Sequence, residues 1–153
     1  MRARSATSIV VALLLALLAL IAAPLPVSAD GPAPPPFVII VDPSNAGKTY
    51  SRKFLADAFL KKTTRWPNGD LIRPVDLSAD SPVREKFSQD ILKRSVAAVK
   101  SYWQQVIFSG RGVPPPELAN DDEVVKYVLA NNGAVGYVSG AAKLGNAKVV
   151  TLE

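Results

Sequence analysis

Phe37-Val38-Ile39-Ile40-Val41 is an unbroken run of β-formers with no polar residue inside it. A strand with one wet face alternates apolar and polar side chains, so this run predicts a strand buried on both faces. Such a strand needs a sheet around it and helices above and below. The remainder of the chain supplies both.

Ser51 is a cap for a helix from Arg52 to about Lys61, with Phe54, Leu55, Ala58 and Phe59 on one face. Leu71 to Val75 reads as a short strand after the Trp66-Pro67-Asn68-Gly69-Asp70 turn. Ser81-Pro82 is a favoured pair for the cap and first position of a second helix, behind which Val83, Phe87 and Ile91 recur every four residues. Ser95 opens a third helix with Val96, Val99, Trp103, Val106 and Ile107 as its apolar stripe. Asn120-Asp121 opens a fourth, carrying Val124, Val125, Val128 and Leu129 and closed by Asn131-Asn132-Gly133. Ala134–Val138 and Lys148–Leu152 are the last two strands. Strands alternating with helices predict an α/β fold of three layers, helix on sheet on helix.

Residues 1–29 are set apart from this pattern. Arg2 and Arg4 precede an apolar run from Ile9 to Ala23, and Pro24 and Pro26 lead into Val27-Ser28-Ala29. A charged start, a short apolar core and small residues at the end are the parts of a secretory signal peptide, with cleavage expected after Ala29. The run is shorter than the ~20 apolar residues that a bilayer span requires. No membrane span is expected after cleavage, and a periplasmic or secreted location follows. Residues 30–36 read as a Pro-rich extended spacer, and residues 37–153 as one domain.

Cleavage removes Arg2 and Arg4 and no acid from a chain of 18 Lys+Arg and 13 Asp+Glu, leaving a net charge of +3. That suits solubility and gives no reason to expect nucleic acid as a partner. The chain has no Cys and no His. Disulfides, thiolate zinc sites, a Ser-His-Asp triad and a Cys-His dyad are all excluded, and neither a cofactor nor a metal is expected. No enzymatic activity is expected, because no nucleophile and base can be paired.

Three local patterns have ordinary explanations. Gly47-Lys48-Thr49 follows a strand as a phosphate loop would. However, such a loop needs Gly five positions before Gly47, where this chain has Asp42, followed by Pro43 without an N–H. Lys61, Lys62 and Arg65 cluster at a helix end, where cations offset the partial negative charge of the terminal carbonyls. Asp76, Asp80, Glu85 and Asp90 lack the spacing of a calcium loop.

Leu55-Ala56-Asp57-Ala58-Phe59-Leu60-Lys61-Lys62-Thr63-Thr64-Arg65-Trp66-Pro67-Asn68-Gly69 resembles the "IFxGKxxxWxdG" segment of the phosphate-binding proteins of ABC transporters. Gly133-Ala134-Val135-Gly136-Tyr137-Val138 is similar to that family's "GAIGYV" strand, and Phe37 to Asn45 and Trp103 fit the same order. The resemblance covers about residues 37–152. It implies a periplasmic-binding-protein type 2-like fold reduced to one of the family's two lobes.

In the family, this lobe holds phosphate at a "DGSGT" turn on a helix N-terminus, with an Arg shortly before. The corresponding stretch here is Asp76-Leu77-Ser78-Ala79-Asp80-Ser81-Pro82-Val83-Arg84. Ser81 matches the family's Ser. Asp80 and Pro82 stand for the two Gly, Val83 for Thr, and Asp76 or Leu77 for the upstream Arg. The resemblance therefore implies Ser78, Ser81 and Arg84 as the ligand-binding residues, with Arg84 compensating in part for what is missing. Lost charge-assisted bonds cost about 1.5–3 kcal/mol each, so the expected function is non-catalytic solute binding, at most weak for an oxyanion such as phosphate. The alternative is a protein-interaction module of the cell envelope, a lone lobe that docks a partner protein or a second copy of itself.

Overall fold

A computed structural model describes residues 33–153; the expected export signal over residues 1–29 lies outside them. In chain order the elements are β1 (Val38–Val41), β2 (Thr49–Tyr50), α1 (Arg52–Phe59), β3 (Arg73–Pro74), β4 (Asp76–Leu77), α2 (Pro82–Phe87), a π-helical turn (Ser88–Leu92), α3 (Val96–Phe108), β5 (Glu117–Leu118), α4 (Asp121–Ala130), β6 (Ala134–Val138) and β7 (Lys148–Leu152). Five strands form one sheet in the order β2-β7-β1-β6-β3, and β4 pairs with β5 beside it.

The sheet is mixed. β1 runs antiparallel to both neighbours, with Ile40 opposite Gly136 on one side and Val149 on the other. The β2–β7, β3–β6 and β4–β5 pairs are parallel. Ile39, Ile40 and Val41 are buried on this central strand, as their uninterrupted apolar character requires.

β6 shows how both faces are covered, since all of its residues are buried. Gly136 faces α4 so closely that an added Cβ would lie 2.7 Å from Val124 and 2.9 Å from Val75. The next side chain points the other way. Tyr137 stacks on Phe87 at 3.8 Å between ring centroids and also touches Phe59, so α2 and α1 cover that second face. Gly133, which leads into β6, holds φ +77°, and a Cβ there would meet the Leu71 carbonyl at 2.1 Å. Only glycine fits that turn.

The helix starts follow their caps. The side chains of Ser51, Ser81, Ser95 and Asn120 each accept a bond from the backbone N–H three residues on. The ends and stripes differ more from expectation. α1 stops at Phe59, and Lys61 is already left-handed at φ 52°, which leaves Lys61 and Lys62 beyond the helix. Helical order after Ser81 passes into the π turn at Ser88, and Arg84 rather than Val83 is the fully buried residue of its first turn. The buried stripe of α3 is Val99, Trp103 and Val106, whereas Ile107 is outside it. The strand expected from Leu71 begins at Arg73, because Leu71 lies in an exposed bridge with Arg65.

Trp66 is core: it is buried, and its indole Nε1–H donates to the Gly133 carbonyl at 3.0 Å. Among the described residues, no helix is long and apolar enough to cross a membrane.

Candidate functional site

The turn from β4 into α2 carries all three residues implied as a site. The Ser78 hydroxyl donates to Asp80 Oδ1 at 2.5 Å, and the Ser81 N–H donates to the Ser78 carbonyl at 3.0 Å. The Ser81 hydroxyl accepts the Arg84 N–H, which makes it the helix cap. Ser78 and Ser81 thus lie together at the surface end of the turn. Asp80 is held below the usual carboxylate range by its bond from Ser78, so it is charged at the position where an anion would approach. The shallow depression here, about 270 Å³, is lined by Asp80, Ser81, Glu85 and Ser95 among others, and holds two carboxylates.

Arg84 points inward. The parallel pairing of β4 with β5 sets Asp76 directly opposite Glu117. In-register neighbours share a sheet face, so two carboxylates stand side by side, a repulsive arrangement without a cation between them. Arg84 is that cation. Its Nη2 lies 3.1 Å from Asp76 Oδ2, and its Nη1 lies 2.6 Å from Glu117 Oε1. Nη1 also donates to the Leu77 carbonyl at 2.5 Å. The guanidinium is only 4% exposed, and its Nε–H is buried with no partner.

Tyr137 completes the cluster from β6, donating its hydroxyl to Asp76 Oδ1; the Leu77 N–H also reaches that oxygen at 3.1 Å. Burial pushes the Asp76 carboxyl above its ordinary range, and Glu117 adds to this, against the pull of Arg84 and the Tyr137 hydroxyl. Burial and then the Asp76 charge push the Tyr137 phenol far up as well. The cluster therefore contributes one cation and two carboxylates, and its cation is already shared between them.

Asp76 and Glu117, the partners of Arg84, and Tyr137, which bonds to Asp76, are the residues the sequence alone does not bring together. Asp76 was visible as a carboxylate within a β-prone stretch, and Tyr137 as a hydroxyl within a buried strand. Glu117 carried no signal, since its place depends on a strand of two residues.

The Asp42–Thr49 loop is held by its own polar groups. Asp42 Oδ1 accepts from the Ser44 backbone, and Oδ2 accepts the Gly133 N–H at 2.9 Å. Its carboxylate is the tie between this loop and the start of β6. Asn45 Oδ1 accepts from the Gly47 N–H and from the Tyr50 hydroxyl.

These features define a single α/β lobe: a mixed sheet with helices on both faces and a polar turn at the N-terminus of α2. Solved structures that this lobe resembles in fold include proteins described as belonging to phosphate transport. One is described as a phosphate ABC transporter substrate-binding protein with bound phosphate from Clostridium perfringens, at 19% identity and a TM-score of 0.61, covering 76% of this chain and 44% of that one. An ABC-type phosphate transport receptor from Vibrio cholerae matches at 18% identity and TM-score 0.58, covering 76% and 45%. PstS from Borrelia burgdorferi matches at 8% identity and TM-score 0.59, covering 76% and 47%. This chain spans less than half the length of these structures. No protein-family model matches the sequence, and no curated protein matches it.

Proposed function

We propose that this chain is an exported, non-catalytic domain of solute-binding fold whose anion turn has become an internal lock. An oxyanion such as phosphate is held at most weakly, by Ser78 and Ser81 at the outer end of the turn. The observation that carries this reading is the burial of Arg84 between Asp76 and Glu117. An arginine that neutralises two carboxylates of its own fold has little attraction left for an outside anion, and freeing it would abandon a buried carboxylate.

The neighbouring charges support the same conclusion. Asp80 and Glu85 line the depression that a ligand would enter, and Pro82 lacks the N–H that a backbone anion site uses. With no His and no Cys in the chain, the polar groups of the turn act as donors and acceptors rather than as a nucleophile and its base.

Calorimetric titration of the full chain with phosphate and with sulfate tests the proposal. Weak heat at millimolar anion, reduced by Ser81→Ala and increased by Glu117→Gln, is the expected result. Absence of heat at millimolar anion in both the wild type and Ser81→Ala removes the anion claim. Saturation at micromolar phosphate refutes the lock. Turnover of generic phosphatase, esterase or glycosidase substrates would overturn the non-catalytic assignment.

A further inference from the structure

The outer side of α3 is unlike a solvated helix surface. Ala97, Ala98, Ser101, Gln104, Gln105 and Phe108 are all exposed and none is ionisable. Phe108 is 89% exposed, and Ile107 beside it is 48% exposed. The loop after the helix returns across its end: Gly112 sits beside Val106, and Pro114 lines the same groove as Ile107. Val113, 63% exposed, is therefore carried at the same end of α3. A large aromatic in water with apolar neighbours marks a contact surface rather than a stray exposed residue.

Cations flank this surface on both sides. On one side Lys61, Lys62 and Arg111 converge on a cleft of about 340 Å³ beside Tyr102 and Trp103. None of the three forms a salt bridge among the described residues. Arg111 spends only its Nε–H, on the Ser109 hydroxyl. On the other side Lys100 lines an apolar groove of about 480 Å³ with Val96, Ile107 and Pro114. Glu117 and Arg84 also line that groove, paired with each other. Residues 91–116 contain Lys93, Arg94, Lys100 and Arg111 and neither Asp nor Glu. Lys61 and Lys62 directly follow the cap of α1, where cations suit the helix end, and they share their cleft with an arginine from a distant loop.

We infer that this face docks on an anionic lipid surface, with Phe108 and Val113 entering the headgroup region and the cations resting on lipid phosphates. A second copy is disfavoured, because apposed faces would bring cation against cation. Lysine is depleted at protein–protein interfaces, whereas exposed lysines around a protruding aromatic suit a lipid surface, which needs no fixed geometry from them. Gly110 and Gly112, both at positive φ, give the loop a backbone path that keeps Val113 outward.

The chain has no cysteine, so one introduced thiol can be labelled alone. Gln105→Cys carrying an environment-sensitive dye is mixed with vesicles of phosphatidylglycerol in phosphatidylcholine, and Asp122→Cys on α4 is the reference position. The apolar segment of residues 9–23 is common to every variant, so the local dye, rather than bulk vesicle binding, is the readout. A blue shift and protection from an aqueous quencher are expected at position 105 and not at 122. The added Lys61→Glu/Lys62→Glu pair should weaken the response by at least ~tenfold, as the loss of about fivefold per cation implies. Phe108→Ser should shrink it while thermal unfolding stays unchanged. An unshifted dye at 105, or an equal response to phosphatidylcholine alone, overturns the inference. So does a larger response to soluble polyglutamate, which would point to an acidic protein. A dye shift that tracks protein concentration without lipid would point instead to self-association.

Discussion

The turn into α2 and the cleft beside α3 both contain charged residues, and they use them in opposite ways. Arg84 enters the protein interior and is answered by Asp76 and Glu117. Lys61, Lys62 and Arg111 remain at the surface, and no acid of the described chain answers them. The large apolar side chains divide the other way: Phe87 is buried under Tyr137 near the turn, and Phe108 stands in water on α3. A charge taken out of water must find partners inside the fold, and once it has them it is structure. A charge left in water without a partner remains available to an outside ligand. Availability, rather than residue type, separates these two regions.

The comparison is broken most directly at Arg84. Arg84→Met should lower stability by about 3–5 kcal/mol in urea denaturation, because it leaves Asp76 buried without its cation. A loss no larger than a surface substitution would mean that the ion pair is not the lock described. Tyr137→Phe keeps the stack on Phe87 and removes only the hydroxyl that meets Asp76, and should cost about 1–3 kcal/mol in the same assay.

Acidification sharpens the same point through its sign. The folded carboxyl of Asp76 takes up its proton at higher pH than the unfolded chain does, so the folded state binds that proton more tightly. Its contribution is fully present below the unfolded value of about 3.9 and is lost as pH rises through the folded one. Denaturation midpoints of wild type and Asp76→Asn, compared from acid to neutral pH, should therefore show the wild type's relative stability falling as pH rises. A relative stability that grows with pH would mean that attraction to Arg84 outweighs burial. Smallest is the effect on the outer side of α3: Phe108→Ser should change stability by no more than about 0.5 kcal/mol, since the side chain is almost wholly in water.

Much of the fold was legible from local pattern. The caps Ser51, Ser81, Ser95 and Asn120 marked the helix starts, and the three longest apolar strands appeared at or near their observed bounds. Short elements were not legible. β2 and β5 are two residues each and have no period to read; they exist because β7 and β4 offer them unpaired backbone. The stripe of α3 was read one residue too wide at each end, since a helix can place Ile107 at its apolar margin without any element arriving to cover it.

The candidate site was legible in its residues but not in its orientation. Ser81 was correctly a cap, yet nothing near Arg84 in sequence says whether its guanidinium faces solvent or core. That depends on Asp76, Glu117 and Tyr137, which converge from three strands. The basic cleft likewise joins Lys61 and Lys62 to an arginine from the loop after α3.

Local composition alone determined where the helices begin, which strands are buried on both faces, and which chemistries are absent, because capping, apolar period and side-chain inventory act over a few residues. Strand order, the pairing of Asp76 with Glu117, and the inward turn of Arg84 were decided only when distant segments met. Electrostatic partners are chosen by distance in space, and a sequence gives distance only along the chain.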